Sequence, residues 1–251
     1  MIKTRAGDTG NTLFVYHRFI MTNVMHKLMT TLAAILIAAS AFAAPKNYDL
    51  KSPNGKLSVS VEAGEGISYT LTHDGDLLLD KTSISMATTS GELFGGIQPV
   101  RKVTRRSVSQ IIPTVLYKKA EVKDEFNEMT LKFKRFSLIF RAYDDGMAYR
   151  FVSHLKDAYQ IEQEFVNFNF AEDWNMWAGY VTHNTHSLEG QYFTSNEAQY
   201  TYSPLSQWNK DRIAILPLMV DGPDGKKIVI TEADNRDYPC FYLYNNEGGK
   251  K

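Results

Sequence analysis

The sequence predicts an all-β protein, a large antiparallel sandwich. Three observations carry that expectation. In run after run beyond Leu57, such as Leu57, Val59, Val61 and Met129, Leu131, Phe133, apolar residues recur at every second position, the period of a strand with one buried face. The runs are punctuated by Asn54-Gly55, Gly64 and Gly66, Asp74-Gly75 and Asp145-Gly146, which is hairpin chemistry. Helical periodicity is weak everywhere after residue 43.

The first 43 residues stand apart from this pattern. "MHKLMTTLAAILIAASAFA" begins at Met25 with a basic start, His26 and Lys27. An apolar run from Leu32 to Ala39 follows, then a small-x-small end at Ala41-Phe42-Ala43. That is the layout of a secretory signal peptide, with cleavage expected after Ala43. The apolar run is short for a bilayer span, so no stable membrane insertion is expected. No cysteine follows it to carry a lipid anchor. Residues 1–24 are polar and unpatterned, and read as an upstream or non-native extension. The expected location is therefore the periplasm or the exterior, with residues 44–251 as the mature domain.

Within that domain the elements follow in order. "SPNGKL" opens the series with an Asn-Gly turn. Leu57, Val59 and Val61 make one alternating run, and Ile67, Tyr69 and Leu71 the next. Asp74-Gly75 then turns the chain into Leu77-Leu78-Leu79. Met129, Leu131 and Phe133 alternate, as do Phe136, Leu138 and Phe140. The same face resumes beyond Gly146 as Met147, Tyr149 and Phe151. Strands of about six residues are expected, the common length. Phe165, Phe168 and Phe170 continue the apolar face. From Tyr180 to Trp208 the chain is long, polar and aromatic, the kind of loop that carries ligands on a rigid sheet. Gly222-Pro223-Asp224-Gly225 marks the last hairpin.

Composition narrows the function classes. The 251 residues hold 28 basic and 28 acidic side chains, a formal net charge of zero. A nucleic-acid binder would carry a basic footprint, so that class is set aside. Hydrophobic residues make up 43% and aromatics 12%, enough for an ordinary core. Cys240 is the single cysteine, which rules out an internal disulfide framework. A lone cysteine of this kind is expected as a small buried hydrophobe.

"FRAYDDGMAYRF", Phe140 to Phe151, places two carboxylates beside a glycine. An inverting glycosidase needs carboxylates roughly 6.5–9.5 Å apart on either side of a sugar. Adjacent residues at a strand turn point away from one another, so Asp144-Asp145-Gly146 reads as a turn.

The stretch has a second meaning. Together with "SPNGKL", "SNEAQYTYSPLS" (Ser195 to Ser206) and "ITEADNRDYPCFYL" (Ile230 to Leu243), it resembles the N-terminal domain of glycoside hydrolase family 97. Members of that family include bacterial periplasmic α-glucosidases and α-galactosidases of the Bacteroides type. The resemblance implies a β-super-sandwich of the galactose mutarotase type. It also implies a catalytic (β/α)8 barrel as partner domain, which this sequence does not contain, and an α-linked oligosaccharide as substrate. The carboxylates that do the chemistry belong to the barrel, so the resemblance implies no catalytic residue here and no hydrolysis by this domain alone.

The resemblance also implies calcium near the scissile sugar, with one carboxylate ligand supplied from this domain. Matching the family's Ser-Tyr-Glu-x-x-Tyr segment assigns that role to Glu197, with Asn196 where the family has tyrosine. Calcium takes several oxygens, so Glu197 is expected to bind it weakly without the barrel. Glu189 in "SLEGQY" is the competing candidate. The segment around Glu232, Asp234 and Asp237 matches the family's His-Glu-Ala-x-x-x-x-Tyr-Pro pattern, with Thr231 in the histidine's place. It implies Glu232 and Asp234 as sugar-binding residues at the domain junction. His183 and His186 are spaced i, i+3, a weak metal signal without a helix to align them. Trp174, Trp177, Tyr180, Tyr192, Tyr200, Tyr202 and Trp208 are either core or sugar-stacking rings. Two other readings stay open: a stand-alone carbohydrate-binding module, and a mutarotase-like enzyme pairing His183 or His186 with Glu232.

Overall fold

Asn54-Gly55 does turn the chain. In the computed structural model, which describes residues 45–181, 187–193, 197–233, 235 and 238–245, Gly55 takes a positive φ of 75°. It folds strand β1 (Lys46–Lys51) back onto β2 (Leu57–Ala63). The Gly64 and Gly66 loop returns β2 to β3 (Ile67–His73). Asp74 and Gly75 both have positive φ, 51° and 88°, the requirement of a two-residue hairpin turn that follows the sheet's twist. They lead into β4 (Asp76–Thr88). Short β5 (Leu93–Phe94) and later β10 (Ile161–Asn167) both pair with β4, completing a six-stranded antiparallel sheet.

The second sheet is a meander. β6 (Lys102–Pro113), β7 (Glu121–Lys132), β8 (Phe136–Tyr143) and β9 (Gly146–Ser153) lie side by side in that order. Asp144 and Asp145 are exposed and close the β8–β9 hairpin, as expected of a turn. Asp144 also accepts the backbone N–H of Asn54 at 2.9 Å. Two distant turns of the sequence are thereby tied together. Across the hairpin, Phe140 faces Tyr149 and Leu138 faces Phe151, so the shared apolar face is real.

A third sheet runs β12 (Tyr200–Pro204), β11 (Asn175–Tyr180), β13 (Ala214–Asp221), β14 (Lys227–Ile230). Asp224 and Gly225, both at positive φ, make the β13–β14 turn. Helical content among the described residues is confined to short 3-10 turns at Glu189–Tyr192, Leu205–Gln207 and Pro223–Gly225.

One continuous core joins the three sheets. Val59, Val61 and Tyr69 from the first sheet meet Met129, Leu138 and Phe140 from the second, all buried. Tyr69 packs edge-on against Phe140, centroids 5.9 Å apart. Phe94 stacks on Phe136 at 5.0 Å, and Phe136 on Phe133 at 4.4 Å. Met176, Leu218 and Val220 bring the third sheet's inner face into the same core. Gly95 sits where this packing is tightest. Its φ is +92°, and a Cβ there would lie 2.6 Å from the Ile84 carbonyl oxygen. Only glycine lets β5 lie that close to β4.

Most strands run five to eight residues, near the expected six, but three are about twice as long. β4 has 13 residues, and β6 and β7 have 12 each. β4 is long because it bends rather than stops: its pairing with β3 shifts register, and Lys81 takes a positive φ of 45°. β6 and β7 are long because they pair with each other past the end of β8, which meets β7 only over Asn127–Lys132. The outer half of that hairpin stands clear of the sandwich. Its tip exposes Ile111, Ile112, Val115, Leu116 and Tyr117, and Leu116 has a φ of 58°.

Candidate functional site

The sequence-derived site residues fall in the segments around the third sheet. Glu197 precedes β12 and is exposed. Glu189 lies on the 3-10 turn at Glu189–Tyr192 and is exposed too. That turn is pinned by Gln191, a buried side chain that donates to the Asp211 carbonyl and accepts from the Ile213 N–H. Among the described residues no three His, Cys, Asp or Glu side chains gather in a way that would hold a metal ion. Calcium takes six to eight oxygens, and Glu197 and Glu189 each offer it an exposed carboxylate. His183, His186, Asn196, Asp234 and Asp237 lie outside the described residues.

Glu232 is half-buried, and its carboxylate accepts the backbone N–H of Phe241 at 3.0 Å. The segment it belongs to thus folds back on itself. Tyr238, from the same segment, reaches the other way and donates its hydroxyl to Glu164 on β10 at 2.9 Å. Glu164 was not foreseen from the sequence. Its carboxyl is pushed above the usual range, first by loss of water around it and then by the charge of Glu232; the Tyr238 hydrogen bond opposes both. Burial and the same two carboxylates raise the Tyr238 phenol. The mutarotase-like pairing of His183 or His186 with Glu232 falls on histidines outside the described residues.

Cys240 corrects an expectation. It is exposed, not buried, because its segment crosses the surface rather than entering a strand; Asn235 donates to its sulfur at 3.2 Å.

Beside this acidic cluster runs a groove of about 600 Å³. Glu164, Phe165, Phe168, Trp208, Phe241 and Tyr242 line it. Its size and mixed apolar and polar walls suit an organic ligand. The aromatic residues of the long loops sort into two groups. Trp208 is buried and donates its indole N–H to the Arg212 carbonyl, while Trp174 and Tyr180 are half-buried against Phe170 and Trp208. Trp177, Tyr192, Tyr200 and Tyr202 are exposed.

Comparison with known proteins decides the family. The family model described as Glycosyl-hydrolase 97 N-terminal matches residues 50–251. The chain belongs to glycoside hydrolase family 97, as its N-terminal domain. It is 34% identical over 227 residues to the retaining alpha-galactosidase of Bacteroides thetaiotaomicron, a match covering 90% of this chain and 34% of that protein. The family 97 chain thus spans about a third of that curated relative. Among solved structures it resembles a Glycoside Hydrolase Family 97 enzyme from Pseudoalteromonas sp. strain K8 in complex with acarbose. That likeness has a TM-score of 0.66 and 20% identity, covering 80% of this chain and 31% of the other. A beta-arabinopyranosidase matches with a TM-score of 0.62 and 17% identity, covering 73% of this chain and 31% of the other. At these identities the two structures share the fold of the family 97 N-terminal domain, and the β-sandwich expected from the alternation is what they share.

Proposed function

We propose that the chain serves a calcium-dependent α-glycosidase of family 97, shaping the rim of its active site and the face that meets the barrel. The carrying observation is the family match over residues 50–251. On this reading the chain does not hydrolyse sugars by itself. Glu197 supplies one oxygen ligand to calcium, and the remaining ligands come from the barrel. Its exposure supports that role, because a ligand shared between domains must face outward. Glu232 and Asp234 contribute to the sugar pocket at the junction, and the substrate is an α-linked oligosaccharide. Export through the segment at residues 25–43 belongs to the same proposal and rests on that segment's layout.

The test is a calcium titration of the purified chain by calorimetry, with aryl α-glucoside and α-galactoside assays alongside. The expected result is no turnover and weak calcium binding that Glu197→Gln removes. Turnover by the purified chain, or calcium binding untouched by Glu197→Gln, overturns the reading. The alternative of a self-contained carbohydrate-binding module draws on the exposed rings of the third sheet.

A further inference from the structure

The outer face of the third sheet carries an ordered row of side chains. Register places Tyr202 opposite Trp177, Trp177 opposite Met219, and Met219 opposite Val229. These four residues therefore stand side by side across all four strands. The alternate residues Met176, Leu218, Val220 and Ile228 point into the core, so the row points outward. Trp177 is 38% exposed, Tyr202 49% and Val229 54%.

The Tyr202 ring is anchored through its hydroxyl, and Trp177 packs against it. Their centroids are 4.7 Å apart with the planes tilted by 38°. The Tyr202 hydroxyl donates to Asp221 at 2.7 Å and accepts from Asn175 at 3.2 Å. Lys227 holds the other oxygen of Asp221 at 2.7 Å. Asn175, Asp221 and Lys227 all lie on the same face as the rings, by the alternation of their strands. The Lys227 and Tyr202 contacts keep the Asp221 carboxyl below its ordinary range, so it accepts hydrogen bonds at neutral pH.

This combination matches one ligand chemistry. A pyranose has C–H faces that pack on an aromatic ring and hydroxyls at its edge that need donors and acceptors. The Trp177–Tyr202 pair offers the first, and Asn175, Asp221 and Lys227 the second. A protein partner is the poorer match. A charged pair, Asp221 and Lys227, borders the rings, whereas the centre of a protein interface is depleted of charge. The anchored Tyr202 ring also loses little freedom on binding.

We propose that the Trp177–Tyr202 pair, with Asn175, Asp221 and Lys227, is a surface site for a neutral pyranose oligosaccharide, separate from Glu197 and Glu232. The choice of a carbohydrate rests on the proposed function, but the site uses none of that reading's residues. Its failure and the failure of the calcium reading are therefore told apart by separate variants.

The experiment titrates the purified chain with maltoheptaose and with stachyose while following tryptophan emission. Trp208 is buried and Trp174 half-buried, so the response belongs chiefly to Trp177. A saturable shift is expected. Trp177→Ala and Tyr202→Ala should weaken it about tenfold or more, the scale of a lost aromatic contact. The Tyr202→Ala titration is read from Trp177 emission, and Trp177→Ala from calorimetry. Trp177→Phe keeps a ring and should fall between, which preserves the test if the alanine variant does not fold. Binding unaffected by either alanine variant overturns the site, as does the absence of saturation in the folded chain. Self-association that Val229→Lys dissolves also overturns it, because the face is then a protein interface.

Discussion

Glu128 is buried on β7 between two arginines. Arg106 reaches it with two nitrogens, at 2.6 and 2.9 Å, and Arg141 with one at 2.8 Å. Arg141 also lies over the Phe126 ring, 4.3 Å from its centroid. The carboxyl is held below its usual range, first by the Arg106 hydrogen bonds and then by those of Arg141, against the loss of water. Removing the charge while keeping the shape leaves two guanidinium groups without their counter-ion. Glu128→Gln should therefore destabilise the chain by about 2 kcal/mol at pH 7. A carboxyl whose pKa is lowered by folding contributes stability that is complete above its unfolded value, about 4.3, and lost as pH falls through the folded one. The gap between wild type and variant should therefore close in acid. Urea midpoints at pH 7 and pH 3 measure it, and an unchanged gap would remove Glu128 from the account. No local pattern in the sequence announces this row. Arg106, Glu128 and Arg141 become neighbours only through the β6–β7–β8 register. Glu164 and Tyr238 escaped notice for the same reason, since 74 residues separate them.

The hairpins were legible because turn chemistry is local. Asn54-Gly55, Asp74-Gly75 and Gly222-Pro223-Asp224-Gly225 each sit between the strands they were expected to join. The length of β6 was not legible, because it lacks the alternation that a buried face imposes; nearly all of it is exposed. Nor was the third sheet, whose β11 pairs with two strands that both arrive much later in the chain. Gly95 shows how much one backbone position can weigh on an element. Gly95→Ala meets both a disfavoured φ and a carbonyl oxygen at 2.6 Å. Neighbouring Phe94 must then leave its stack on Phe136. The expected loss is at least about 2 kcal/mol, more than an unstrained glycine-to-alanine change would give. For a chain of this size that is a fall of roughly 4–8 °C in melting temperature. A melt within a degree of wild type would mean that β5 moves away freely.

At the scale of the whole molecule, three sheets share one core, so the sandwich is expected to unfold as a unit. The β6–β7 hairpin is the exception in shape. Its ladder runs from Lys102 opposite Lys132 to Pro113 opposite Glu121, well past the support of β8. Lys118 and Lys119 sit exposed in its loop, beside the apolar tip. Exposed loop tips are the preferred places for proteases to cut. Trypsin should therefore make an early cut there. The two pieces have no reason to part, since each carries strands of the common core and the ladder itself is untouched. Gel filtration should show one species of unchanged size, which denaturant alone resolves into two bands. Separation of the pieces in native buffer would contradict the single core. The projecting hairpin thus makes this a domain whose chain can be severed while its fold persists, a natural point of entry for splitting the molecule into two complementing halves.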